Sequence, residues 1–140
     1  MKKALMGLVL SLGVAVSAQA GFGPFIVDVI FEDNGDGSTT VEGSLVGVRF
    51  TEVVTQQIGC RVAAVAGGPA SVACVARDLN EVLHGCFSFD PALIEAAKSI
   101  SPYSYVNYRY DNVTNECQYL LVSVRSHHIP DKFSEKGKEK

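Results

Sequence analysis

Several things are scarce in this chain of 140 residues, and each scarcity narrows the chemistry. There is no tryptophan, which removes the usual platform for stacking a sugar ring. There is no C-x-x-C, so the thioredoxin-type redox centre and, without C-x-x-C-H, the c-type haem attachment both fall away. There is no G-x-S-x-G elbow, and no serine has a histidine at a telling distance. Only three histidines occur, and two of them, His127 and His128, are adjacent, so on a strand they point to opposite faces and do not share one ion. No internal repeat is visible, and after the first twenty residues no apolar run is long enough to cross a bilayer, which takes about 20 residues. Positive charge is short as well: 12 Lys and Arg against 15 Asp and Glu give a formal charge of −3. An acidic chain is a poor ligand for phosphate backbones, so no nucleic-acid partner is expected.

What is present begins with "MKKALMGLVLSLGVAVSAQA". Lys2 and Lys3 form a positive start, Ala4 to Val16 is apolar, and Ala18 and Ala20 put small residues where a signal peptidase cuts. This is the layout of a cleaved secretory leader over residues 1–20. The expected product is a periplasmic or secreted protein without stable membrane insertion, a single disulfide-stapled domain over 21–130, and a charged, disordered tail over 131–140. Removing Lys2 and Lys3 moves the formal charge from −3 to −5.

Apolar and polar residues mostly alternate with period two, which argues strands. "FIVDVIFED" (25–33) is followed by the turn signal "NGDG" (34–37), then by a long second strand over 38–54, bent at Gly43 or Gly47. "IGCRVAAVA" and "SVACVARD" flank a turn at "GGP" (67–69), and "VLHGCFSF" follows the break "LNE" (79–81). One helix is expected over about 91–100. Asp90 caps it, Pro91 suits its first position, and Leu93, Ile94, Ala97 and Ile100 form its apolar stripe. "YSYVNYRY" and "CQYLLVSV" then form a hairpin around "DNVTNE" (111–116). About seven strands in antiparallel hairpins with one helix on the sheet make an α+β domain; an all-β sandwich with an incidental helix is the alternative.

Cys60, Cys74, Cys86 and Cys117 in an exported chain read as two disulfides, for which three pairings exist. If "LNE" is a three-residue hairpin loop, residues equidistant from Asn80 face each other, which sets Cys74 opposite Cys86, Ala76 opposite His84 and Asp78 opposite Val82. That register favours a Cys74–Cys86 bond and leaves Cys60 for Cys117. A tetrahedral zinc site from Cys60, Cys74, Cys86 and His84 is the competing arrangement. "EDNGDGSTTVEG" (32–43) resembles a calcium loop, but with Gly37 at the sixth place Gly43, not Glu42, falls at the twelfth, where the bidentate carboxylate belongs. No cofactor or metal is therefore expected. Among carboxylates, Glu42, Glu52, Glu81 and Glu95 form no pair with a mechanistic reason, so no catalysis is expected.

All five tyrosines lie between Tyr103 and Tyr119. With Asp111 opposite Glu116, Tyr110 faces Cys117, Tyr108 faces Tyr119 and Val106 faces Leu121. One side of this hairpin is then a tyrosine strip. The other carries Tyr103 and Tyr105 with Asn107, Arg109 and Gln118. Tyrosine offers wide contact area at low entropy cost, which makes Tyr103, Tyr105, Tyr108, Tyr110 and Tyr119 candidates for binding a protein, peptide or glycan. Asn112-Val113-Thr114 also fits a glycosylation sequon. The leading expectation is a small exported, non-catalytic binding or structural protein that engages a partner through the last hairpin or assembles through strand edges. An inhibitor of a hydrolase and a small metal-dependent enzyme are the alternatives.

Overall fold

The computed structural model of the chain describes residues 28–50 and 55–125. The leader, the tail, His127, His128 and Glu52 lie outside the described residues. Seven strands form two antiparallel sheets, joined by two short helices. The first sheet runs in the order β1 (Ile30–Asp33), β2 (Ser38–Ser44), β6 (Tyr105–Asp111), β7 (Cys117–Ser123), and the second in the order β3 (Gln57–Ala63), β4 (Ser71–Arg77), β5 (Leu83–Ser88). This is the α+β arrangement of antiparallel hairpins read from the sequence.

The turns hold the hairpins through their own side chains. Gly35 and Gly37 take positive φ in the first turn, while Asp36 Oδ1 accepts from the Ser38 amide and hydroxyl. Asp111 Oδ1 accepts from the amides of Val113 and Thr114, both at 2.8 Å, and Asn115 sits at φ 55°. The two turns are tied to each other, since Thr39 Oγ1 donates to Asn112 Oδ1 and the Asn112 amide donates to the Gly37 carbonyl.

The chain from 45 to 50 departs from the expected long strand. It forms a short helix, α1 (Leu45–Phe50), instead. Ser44 starts it by accepting from the Gly47 amide, while the Leu45 amide still donates to the Ser104 carbonyl, one step beyond the last β2–β6 pair. The helix buries Val46 and Gly47, a choice of burial that the period-two pattern of "LVGVRF" did not reveal. The second helix, α2 (Pro91–Lys98), follows the reading: Asp90 Oδ1 accepts from the amides of Ala92 and Leu93, Ile94 and Ala97 are buried, and Leu93 and Ile100 pack against the core.

The inner faces of both sheets share one core with α2. Val29, Val41, Val72, Ala76, Val106, Tyr108, Tyr110 and Leu120 lie in it. At Gly43 the sheets pack tightly: a Cβ there would lie 3.3 Å from Ile58 Cδ1 of β3, so the position has no room for a side chain unless Ile58 gives way. Gln56 closes one end, its carboxamide accepting from the Val29 amide and donating to Asp28.

Candidate binding face

The cysteines come first, because they decide where the rest can sit. The β4–β5 hairpin has the expected register, with Cys74 opposite Cys86, Ala76 opposite His84 and the Asp78 amide donating to the Val82 carbonyl. Cys74 nevertheless bonds to Cys60, and Cys86 bonds to Cys117. This corrects the expected pairing, and the ladder explains why. The Asp78–Val82 bond makes that pair a hydrogen-bonded one, so by alternation Cys74–Cys86 is hydrogen-bonded too, with its Cα atoms about 5.5 Å apart. In a central strand the neighbouring pair on the other side must then be non-hydrogen-bonded and closer. Cys60 stands there, opposite Cys74, with a Cα–Cα distance of 4.0 Å. Cys86 is left for Cys117, and this bond joins β5 to β7 and thus one sheet to the other. No described cysteine is free. Such bonds belong to an oxidising location outside the cytoplasm. His84 is engaged elsewhere: its Nδ1 lies 2.6 Å from the Tyr110 hydroxyl, and its ring packs on Phe31 at 4.3 Å.

A one-residue irregularity then reassigns the tyrosines. Tyr110 pairs with Cys117 as expected, but Arg109 pairs with Tyr119, so Gln118 has no partner. This β-bulge sets two residues against one and shifts every later contact. Tyr108 faces Leu120 and Val106 faces Val122, not Tyr119 and Leu121 as the simple register required. Two tyrosines of the expected binding strip are consequently core. Tyr108 is 0% exposed and Tyr110 4%, and the two rings lie 6.3 Å apart. Burial pushes both phenols upward. Neither can offer its ring to a partner, which corrects their assignment as binding residues.

The bulge brings Tyr119 to the opposite, outer face of the four-stranded sheet, where Tyr105 also stands. Across this face the rows read Ser44–Tyr105–Ser123, then Ile30–Glu42–Asn107–Leu121, then Glu32–Thr40–Arg109–Tyr119. Tyr119 is 42% exposed. Glu42 accepts from the Tyr105 hydroxyl in a short hydrogen bond and from the Asn107 amide at 3.1 Å. Partial burial, then this bond to a carboxylate, push the Tyr105 phenol up to about 12, so it is a neutral donor at any physiological pH. Arg109 is exposed and in no ion pair among the described residues, although its charge helps to hold Asp36 ionised after the Ser38 hydrogen bonds. Tyr103, in the loop before β6, is 38% exposed.

The face therefore combines a guanidinium, an amide, two phenols and two carboxylates, Glu42 and the exposed Glu32 at the β1 edge of the Arg109 row. In the sequence Glu42 reads only as an isolated carboxylate; its place beside Tyr105 and Asn107 is not legible there, because β2–β6 pairing spans more than sixty residues and leaves no local signal. In the segment compared with a calcium loop, Asp36 is held by its own turn, where it accepts from the Ser38 amide and hydroxyl. Among the described residues the one group of ligand atoms close enough for an ion is Cys74, Cys86 and Cys117, all of them in disulfides. A cleft of about 630 Å³ between α1, β3 and the loop after α2, lined by Leu45, Arg49, Ile58 and Ile100 among others, contains none of the tyrosines or cysteines picked out as site residues by sequence. Among the described residues no helix is long and apolar enough to cross a membrane. No known protein family, no curated protein and no solved structure matches the chain.

Proposed function

We propose that the protein is exported through its cleaved leader and acts without catalysis, by binding a polar partner on the outer face of the four-stranded sheet. The observation that carries this reading is the arrangement of Tyr119, Arg109, Asn107, Tyr105 and Glu42 in adjacent rows of one sheet face. An exposed Arg in no ion pair among the described residues, with a phenol beside it, suits a carboxylate or a peptide carbonyl, since its donors are numerous. A non-catalytic role fits the engagement of the titratable groups: Glu42 by Tyr105 and Asn107, His84 by Tyr110, and Asp111 by its own turn. The favoured partner is a protein or peptide carrying carboxylates; a glycan is the other chemistry such a face accepts.

The test is a screen of the mature chain against arrays of acidic peptides and of glycans, repeated with Arg109→Ala and Tyr119→Ala. The expected result is a set of acidic-peptide signals weakened at least tenfold by either substitution, with unchanged melting. Signals insensitive to both substitutions, or none above background, would discard this face. A second reading, assembly between copies, draws on the edge of β3, which among the described residues pairs with β4 alone. It requires concentration-dependent gel filtration that is abolished by Val62→Pro on that edge.

A further inference from the structure

The two disulfides touch. The Sγ atoms of Cys74, Cys86 and Cys117 all lie within 4.8 Å of one another, although Cys74 belongs to one bond and the other two to the second. Cys74 is also flanked in register by a cysteine on each side, Cys60 on β3 and Cys86 on β5. The four residues differ in access: Cys74, Cys86 and Cys117 are 1%, 5% and 4% exposed, whereas Cys60 is partly exposed. It lies on the edge strand of its sheet, whereas Cys74 is in the central strand.

We propose that Cys60 is a capture site for an external thiol, and that Cys74 relays the exchange to the bond between the sheets. Thiol–disulfide exchange proceeds by attack of a thiolate on one sulfur, with the other sulfur leaving. The attacker must come from the side of Cys60 away from Cys74. That side is the edge of β3, along which no other strand runs among the described residues. A thiolate RS⁻ forms an S–S bond to Cys60, the Cys60–Cys74 bond breaks, and Cys74 leaves as a thiolate. The freed Cys74 sulfur lies within 4.8 Å of both sulfurs of the second bond. It attacks Cys86, its cross-strand neighbour; the Cys86–Cys117 bond breaks, and Cys117 leaves as a thiolate that takes a proton from water. One external thiol is consumed and one protein thiol appears, so there is no net oxidation. The product carries RS–Cys60 and Cys74–Cys86. The covalent tie between the sheets is gone, and a thiol stands at the start of β7, the strand that presents Tyr119.

The chain is well suited to the test, because Arg61, Arg77, Lys98 and Arg109 place each cysteine on its own tryptic peptide. The mature oxidised protein is treated with a tenfold excess of glutathione, quenched with iodoacetamide and mapped by mass spectrometry. Expected are glutathione on the Cys60 peptide, a crosslink between the Cys74 and Cys86 peptides, and carbamidomethyl on Cys117. Carbamidomethyl on Cys74 with Cys86–Cys117 intact overturns the relay, as does a Cys74–Cys117 crosslink. Glutathione on any other cysteine, or no adduct at all, overturns the capture site. Cys60→Ser starts the relay without external thiol: iodoacetamide is then expected on Cys117, and label confined to Cys74 refutes the inference. Should that variant fail to fold, the glutathione experiment on the unaltered chain decides alone.

Discussion

Deletion of Gln118 tests the geometry on which the binding face rests. Cys117 and Leu120 point inward, whereas Gln118 and Tyr119 between them are both exposed. Tyr110 pairs with Cys117 and Arg109 with Tyr119, so Gln118 is the unpaired residue of the bulge. Joining Cys117 directly to Tyr119 converts this into a regular ladder without moving any other side chain to a different face. The deletion loses the local twist that a bulge imparts and regains a regular ladder hydrogen bond worth about 1 kcal/mol. The net change should be within about 1 kcal/mol, or roughly 4–8 °C in Tm for a domain of this size.

A control deletion in the same strand behaves oppositely. Removing Leu121 carries Val122 from its place opposite Val106 to the outer position opposite Asn107, and brings Ser123 inward in its stead. Exposing the valine costs about 1.5–2 kcal/mol and burying an unpaired hydroxyl a further ~1–3. The expected loss is therefore about 3–5 kcal/mol, more than about 12 °C. Thermal unfolding of both variants followed by circular dichroism, with a thiol count to verify that Cys86–Cys117 still forms, makes the comparison. Equal losses for the two deletions would refute the assigned register, and with it the placement of Tyr119 beside Arg109.

Tyr108→Ala should cost about 3–5 kcal/mol, as for other large aromatic truncations in a core, whereas Tyr119→Ala should stay within about 0.5; urea midpoints measure both, and similar losses would contradict the division of the tyrosines. Replacing Cys86 and Cys117 together by Ala opens a loop with a sequence separation of 31 and should cost about 3.7 kcal/mol, against about 3 for Cys60 with Cys74, separated by 14. At an m-value of about 1.5 kcal/mol/M the first pair should lower the urea midpoint by about 2.5 M, and a shift below about 0.5 M would mean that the sheets are held without it. Tyr105 supplies a pH test: its folded pKa is raised to about 12 from 10.0, so its contribution is complete below pH 10 and is lost as pH climbs toward 12. The urea midpoint of the unaltered chain should fall more steeply than that of Tyr105→Phe across this window; parallel curves would show that the phenol is not held by Glu42.

The pattern of what sequence reveals here follows the range of each interaction. The β4–β5 hairpin, α2 with its Asp90 cap, and the pairing of Asp111 with Glu116 are set by residues a few places apart, and all three are legible in the chain. The helix at 45–50 is not, because "LVGVRF" alternates like a strand and the cap that Ser44 makes on the Gly47 amide leaves no pattern of its own. The disulfide pairing is hidden for a different reason. Cys74 faces a cysteine on both sides, and the choice depends on which neighbour its amide and carbonyl address, a property of the ladder that composition does not carry.

The tyrosines show how a small irregularity decides a surface. In a regular hairpin, alternation would gather Tyr108, Tyr110 and Tyr119 on one side, and the outer face would lose its exposed ring beside Arg109. One extra residue, Gln118, separates them: two phenols fill the core next to His84, and the third joins Tyr105 outside. Gln118 and Tyr119 carry no sequence mark of this, since both tolerate either environment. The inward turn of Cys117 provides the physical reason for the irregularity. Its bond to Cys86 holds it inside at the mouth of the hairpin, Leu120 is needed inside further along, and two intervening residues fit only if one is left without a partner. The bond between the sheets thereby fixes the composition of the face on the far side of β7, which is why exchange at Cys74 and capture of a partner at Arg109 and Tyr119 should report on each other.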